Sequence, residues 1–232
     1  PGLLIDAQSS TPYALEFNGS SNTILDGFTL QNSLSSSIYV TGNSYSLQIK
    51  NCTMQFIDTN ADDTADVTMP SGNPFPGAAG VHISTNAGDN ITITDCVISA
   101  DAHGIHCDYA DGLAVSGTSL PGTQITGVST STFIGVLIRY SDDSTISKNT
   151  ISGTIGLVWN AGPPVVYRGY GIRSSYCDRL EISENNFTGT QPSVMEIIRN
   201  ATVDVLGNTI TSTSTAGIQL NNSSGGTVAD NA

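Results

Sequence analysis

Positive charge is scarce in this 232-residue chain. Lys and Arg together number 7 against 20 Asp and Glu, for a net charge of −13. A general nucleic-acid or anionic-membrane partner needs a surplus of cations, so both are excluded as general partners. A polyanionic substrate would need a local basic patch. Charged residues of either sign make up only 12% of the chain, so Ser, Thr and Asn carry the polar surface, as suits an extracellular or cell-surface setting. No apolar run approaches the roughly 18 residues that a helical membrane span requires, and no signal-peptide pattern is present. Nowhere do apolar residues recur at i, i+3, i+4 and i+7 over three turns, which excludes long amphipathic helices. The four cysteines, Cys52, Cys96, Cys107 and Cys177, have no zinc-ligand spacing. They read as reduced residues of core and turns.

What is present is a repeated phrase. Its first half, small–Gly–apolar–x–apolar, occurs at Ala79-Gly80-Val81-His82-Ile83, His103-Gly104-Ile105-His106-Cys107, Ile134-Gly135-Val136-Leu137-Ile138, Tyr170-Gly171-Ile172-Arg173 and Ala216-Gly217-Ile218-Gln219-Leu220. Looser copies begin at Tyr13, Ser36 and Ser193. Its second half carries an Asn or Cys between apolar residues, as in Ile49-Lys50-Asn51-Cys52, Ile146-Ser147-Lys148-Asn149 and Ile182-Ser183-Glu184-Asn185. Where nothing is inserted, as from 13 to 36 or from 79 to 103, the step is 23 or 24 residues. The runs are short, alternate apolar with polar, and are rich in Ile, Val and Thr, so they read as strands with one buried face. Runs recurring at a constant step pair in parallel, one rung on the next, at about 4.8 Å per rung. Such units share one continuous core.

The spacing therefore predicts an all-β chain: a single-stranded right-handed parallel β-helix of about eight rungs. One domain spans 1–232, with loop insertions near 57–78, 118–132 and 154–169. The strand-like runs at both ends read as an excerpt of a longer protein, with neighbouring β-helix rungs or self-association through open ends as partners. One turn column is predicted to hold Gly27, Cys52, Cys96, Asn149, Asn185, Asn208 and Asn231, with inward Asn side chains satisfying turn backbone groups. Tyr109, Tyr140 and Tyr176 fall at equal offsets in three adjacent rungs and are predicted to stack.

This pattern resembles the right-handed parallel β-helix superfamily, the pectate-lyase-like group, over roughly residues 13–231. The resemblance is specific for fold. The scaffold carries lyases, hydrolases, epimerases, phage tailspikes and inert surface proteins, so it does not by itself name a function.

Stacking turns sequence offset into surface neighbourhood. One outward column of the first strand reads Glu16, Tyr39, His82, His106, Leu137, Arg173, Glu196, Gln219. The next outward column includes Ser84, Asp108, Arg139 and Ser175. Two histidines, two arginines, a tyrosine and an aspartate thus converge on the middle rungs. The insertions near 57–78 and 154–169 leave from one corner and are expected to bracket this patch. The second brings Trp159, Tyr167 and Arg168 as sugar-stacking residues, with Glu196 on the groove floor. A polar groove with aromatic walls suits a polysaccharide. The chemistry expected of it is β-elimination or C5-epimerisation of a uronic acid, both of which start by removing a proton α to a carboxylate. Arg139 or Arg173 would neutralise that carboxylate. His106 or His82 would act as base, with Tyr39 or the other histidine as acid. Asp108 would orient His106 or bind a cation. Pectate-lyase-like enzymes are similar in placing a basic residue, and often Ca²⁺ ligands, on such a sheet. In this chain Asp58, Asn60 and Asp62 stand at alternating positions of the first insertion, with Asp66 four residues on, a spacing compatible with Ca²⁺. Hydrolysis needs several carboxylates around one point, and the middle rungs supply only Asp108. The alternative to a lyase or epimerase is a non-catalytic β-helical segment of a surface adhesin, surface-layer or tail-fibre protein.

Overall fold

A computed structural model describes residues 3–7, 11–33, 35–55, 79–85, 87–100, 103–119, 121–127, 133–154, 169–190, 193–212 and 216–232. They form three parallel sheets of eight strands each, and among the described residues there is no helix. The coil is the right-handed parallel β-helix that the spacing predicts.

The first sheet is built from Tyr13–Asn18, Ser36–Thr41, Ala79–Ile83, His103–Asp108, Ile134–Arg139, Tyr170–Ser175, Ser193–Ile198 and Ala216–Asn221. Its register joins Glu16, Tyr39, His82, His106, Leu137, Arg173, Glu196 and Gln219 into one file. The second sheet runs from Ile24–Asp26 to Val228–Ala229 and the third from Leu4–Asp6 to Thr209–Ser212. Ile and Val fill the interior because their branched side chains suit a pleated, half-buried surface. Ile38, Val81, Ile105, Val136 and Ile172 are all fully buried in one inward file of the first sheet.

The glycine of the repeated phrase has a steric cause. A Cβ on Gly104 would lie 2.2 Å from Ile125 Cγ2 and 2.5 Å from the Gly135 carbonyl oxygen. A Cβ on Gly135 would meet the Gly171 oxygen at 2.5 Å. Consecutive rungs approach too closely there for any side chain.

The asparagine column is a hydrogen-bonded ladder. Asn185 Oδ1 accepts from the backbone N–H of Asn149 at 3.0 Å and from its Nδ2 at 2.9 Å. Asn208 Oδ1 receives the same pair from Asn185, and Asn231 Oδ1 from Asn208. Each Nδ2 also donates to a carbonyl of a lower rung: Val115, Ile146, Ile182 and Val205. Gly27 does not belong to this column. Leu25 pairs with Ile49, so Phe28 aligns with Cys52. Gly27 instead shares the preceding left-handed position, φ +76°, with Asn51, φ +53°. The four cysteines are free and buried.

The stretch near 118–132 is not simply an inserted loop. It contains the third-sheet strand Gln124–Gly127, paired with Val97–Ala100 and Thr150–Thr154. The insertions near 57–78 and 154–169 lie almost wholly outside the described residues.

Candidate functional site

The first sheet places Tyr39, His82, His106, Asp108, Arg139, Arg173 and Glu196 on its outer side, as the alternation predicts. The local reason is the pleat: Ile105 and Cys107 point inward, so His106 and Asp108 point out. Register then stacks His106 on His82 and sets Asp108 beside Arg139.

Two ionic groups result. Arg139 grips Asp108 along one edge of its guanidinium, Nε to Oδ1 at 2.6 Å and Nη2 to Oδ2 at 2.7 Å. His106 Nε2 lies 3.2 Å from the same Oδ2 and 3.3 Å from Arg139 Nη2. The whole residue is only 2% exposed at His106 and 4% at Asp108. Burial alone would raise the Asp108 carboxyl, but hydrogen bonds from His106 and Arg139 outweigh it and hold the group below the ordinary carboxylate range. One rung further, Arg173 Nε meets Glu196 Oε2 at 2.8 Å. The sequence reading gave these two residues separate roles; the structure pairs them.

The remaining side chains form an aromatic file. Tyr13 stacks on Tyr39 with ring centroids 4.3 Å apart, and Tyr39 meets His82 edge-on at 5.2 Å. His82 and His106 are parallel at 4.7 Å, and His103 lies 5.1 Å from His106. Burial depresses His82, with a further push from His106, to about 4. His103 is pushed down for the same reasons, burial first. The cluster is therefore held in its neutral form at His82 and His103. A second small apolar cluster, Ile134, Leu137 and Tyr170, is buried beside it.

This arrangement gives a pH expectation. A histidine whose folded pKa lies below its unfolded value contributes stability that is present above the unfolded value and lost as pH falls. For His82 the window runs from 6.5 down to about 4. Thermal unfolding followed by circular dichroism is expected to give a flat midpoint above that window and a steady fall within it. His82→Gln is expected to flatten the fall. An unchanged pH profile in that variant contradicts the assignment.

Trp159, Tyr167 and Arg168, expected to line the groove, lie outside the described residues. So do Asp58, Asn60, Asp62 and Asp66, expected to hold Ca²⁺. Among the described residues no group of three or more His, Cys, Asp or Glu side chains could hold a metal ion, and no helix is long and apolar enough to cross a membrane. Sequence reasoning missed the pairing of both arginines. The opposite charges on adjacent rungs, Asp108 against Arg139 and Arg173 against Glu196, were the signal that could have found it.

A family model described as "Right handed beta helix region" matches residues 110–232. No curated protein matches the chain. Among solved structures, the crystal structure of PfbA, a surface adhesin of Streptococcus pneumoniae, is similar, with 15% identity and a TM-score of 0.35. The alignment covers 98% of this chain and 61% of that one.

Proposed function

Because the chain belongs to the right-handed β-helix family, we propose that it serves as a non-catalytic β-helical segment of a protein displayed at the cell surface or outside the cell. The observation that carries this reading is that each described arginine of the patch faces a protein carboxylate at contact distance. Elimination or epimerisation of a uronate needs a cation left over to neutralise the substrate carboxylate, so that the α proton becomes acidic. Here Asp108 takes the Nε–Nη2 edge of Arg139, and Glu196 accepts from Arg173 Nε. The near-complete burial of His106 and Asp108 supports the same reading, because a base must come within hydrogen-bond reach of the proton it removes. A Ser/Thr/Asn-rich surface with few charges suits a secreted rod.

The test is the absorbance of unsaturated uronate on incubation with alginate, pectate and related polyuronates, with and without Ca²⁺. The expected outcome is no product from the wild-type protein under any condition. Product formation abolished by both His106→Ala and Arg139→Ala would instead establish a lyase. Epimerase activity is followed by NMR of the same polymers, again with no change expected.

A further inference from the structure

The corner that follows the first sheet carries an exposed feature on the rungs of His106, Arg139 and Arg173. The sequence Tyr-x-Asp recurs as Tyr109-Ala110-Asp111, Tyr140-Ser141-Asp142 and Tyr176-Cys177-Asp178. The three rings stack with centroids 4.5 and 4.9 Å apart and planes within 9° of parallel. They are 51%, 40% and 42% exposed. All three stand at left-handed backbone positions, φ +57°, +51° and +57°. The same turn position holds Gly19, Gly42 and Asn222 in other rungs, the residue types that adopt it cheaply. A tyrosine there costs of order 1–2 kcal/mol, so the fold itself does not ask for it. Nor do the rings add to the core, since their edges face solvent.

The two ends of the ladder differ. At the upper end the Arg199 guanidinium lies over the Tyr176 ring, Cζ 5.5 Å from the centroid, and Nη1 donates to the phenol oxygen. Nearby Arg179 bridges Asp178 and Asp143. At the lower end the register that pairs Ile83 with Cys107 sets the small, exposed Thr85 beneath Tyr109. No described ring or guanidinium covers that face. Beside it run Asp89, Asp111 and Asp142. Their carboxylates accept the backbone N–H of the next turn, at 3.1 Å for Asp111 N and 2.7 Å for Asp142 N and Asp178 N. Among the described residues none of these three makes a salt bridge.

We infer that the Tyr109–Tyr140–Tyr176 ladder, with Asp89 and Asp111 beside its open end, is a docking surface for a guanidinium-bearing basic segment of a protein partner. A cation is attracted to the face of an aromatic ring and to adjacent carboxylates together. The chain's own Arg199 already lies over the ring at the opposite end. Tyrosine and arginine pairs of this kind recur as anchors of protein interfaces. The net charge of −13 favours a basic partner over an acidic one. In the stack, among the described residues, only the end ring, Tyr109, keeps an uncovered face, which leaves room for one planar guanidinium rather than for a run of sugar rings. The inference stands apart from the patch on the sheet face: polyuronate turnover, or its lack, does not bear on it.

The probe is a fluorescent six-residue peptide alternating Arg and Ser, compared with the same peptide carrying citrulline in place of Arg. Fluorescence anisotropy with the whole chain is expected to show at least about tenfold tighter binding of the Arg peptide, weakening as salt rises. The triple variant Tyr109→Asn, Tyr140→Asn, Tyr176→Asn is expected to lose that binding while keeping or raising its thermal midpoint, because Asn suits the left-handed position. Asp111→Asn is expected to weaken binding with the ladder intact. Equal binding of both peptides, no binding of either, or undiminished binding by the folded triple variant would each overturn the inference.

Discussion

Replacing Asn185 by Ala is expected to lower the free energy of unfolding by about 4 kcal/mol. The side chain serves three partners at once. Its oxygen accepts from the Asn149 N–H and Nδ2, and its nitrogen donates to the Ile146 carbonyl and to Asn208 Oδ1. Asn149, Asn185 and Asn208 are all within 1% of full burial. Truncation therefore orphans two buried N–H donors and a buried carbonyl, each costing about 1–3 kcal/mol before relaxation. The Asn208 oxygen keeps the Asn185 backbone N–H, which limits the damage. Asn231→Ala, in a partly exposed rung, is expected to cost about 1 kcal/mol. Urea unfolding of the two variants is the check. Equal and small losses would show that the ladder is ornament rather than support.

The second large effect is expected at Asp108. Asp108→Asn keeps the shape but turns one acceptor oxygen into a donor facing Arg139 and His106. The carboxylate side chain is 6% exposed and that of His106 3%, whereas Arg139 is 36% exposed. Breaking a buried ion pair costs about 3–5 kcal/mol. Solvent at Arg139 moves the expectation to the lower end, about 2–3 kcal/mol. The pH dependence follows from the direction of the shift. A depressed carboxyl gives stability that is present above its ordinary value of 3.8 and lost as pH falls through its folded value. The wild-type chain should therefore lose this contribution only in strong acid, below the window assigned to His82. In Asp108→Asn that acid step should disappear.

Much of this was legible from the spacing of the repeat. The offset of a residue from the start of its copy of the repeat fixes which side chains share a file, because strand side chains alternate faces strictly and the rungs pair in parallel. The file from Glu16 to Gln219 and the stack of Tyr109, Tyr140 and Tyr176 follow from that count alone. Gly27 was placed one position off, in the column that Phe28 occupies. A glycine and an asparagine serve equally at left-handed turns, so Gly27 looked like the column residue when it is the turn residue before it. The ion pairs were legible only in part, for a different reason. Register says that Asp108 and Arg139 are neighbours, but not that the guanidinium folds back onto the carboxylate rather than reaching outward. That choice is made by local desolvation, which favours pairing wherever two opposite charges are buried together. It is also what moves the reading of the patch from a site of proton abstraction to a buried structural group.

The central claim is that these charges stabilise the coil rather than serve a substrate, and a double-mutant cycle tests it directly. Asp108→Asn, Arg139→Gln and the double variant are compared with the wild type by urea unfolding. The structural reading expects each single change to destabilise the chain and a coupling of about 2 kcal/mol, since both remove the same bidentate contact. Groups held in place for chemistry often cost the fold stability, so their removal leaves it unchanged or improves it. A coupling near zero, with Arg139→Gln as stable as the wild type or more so, would contradict the account.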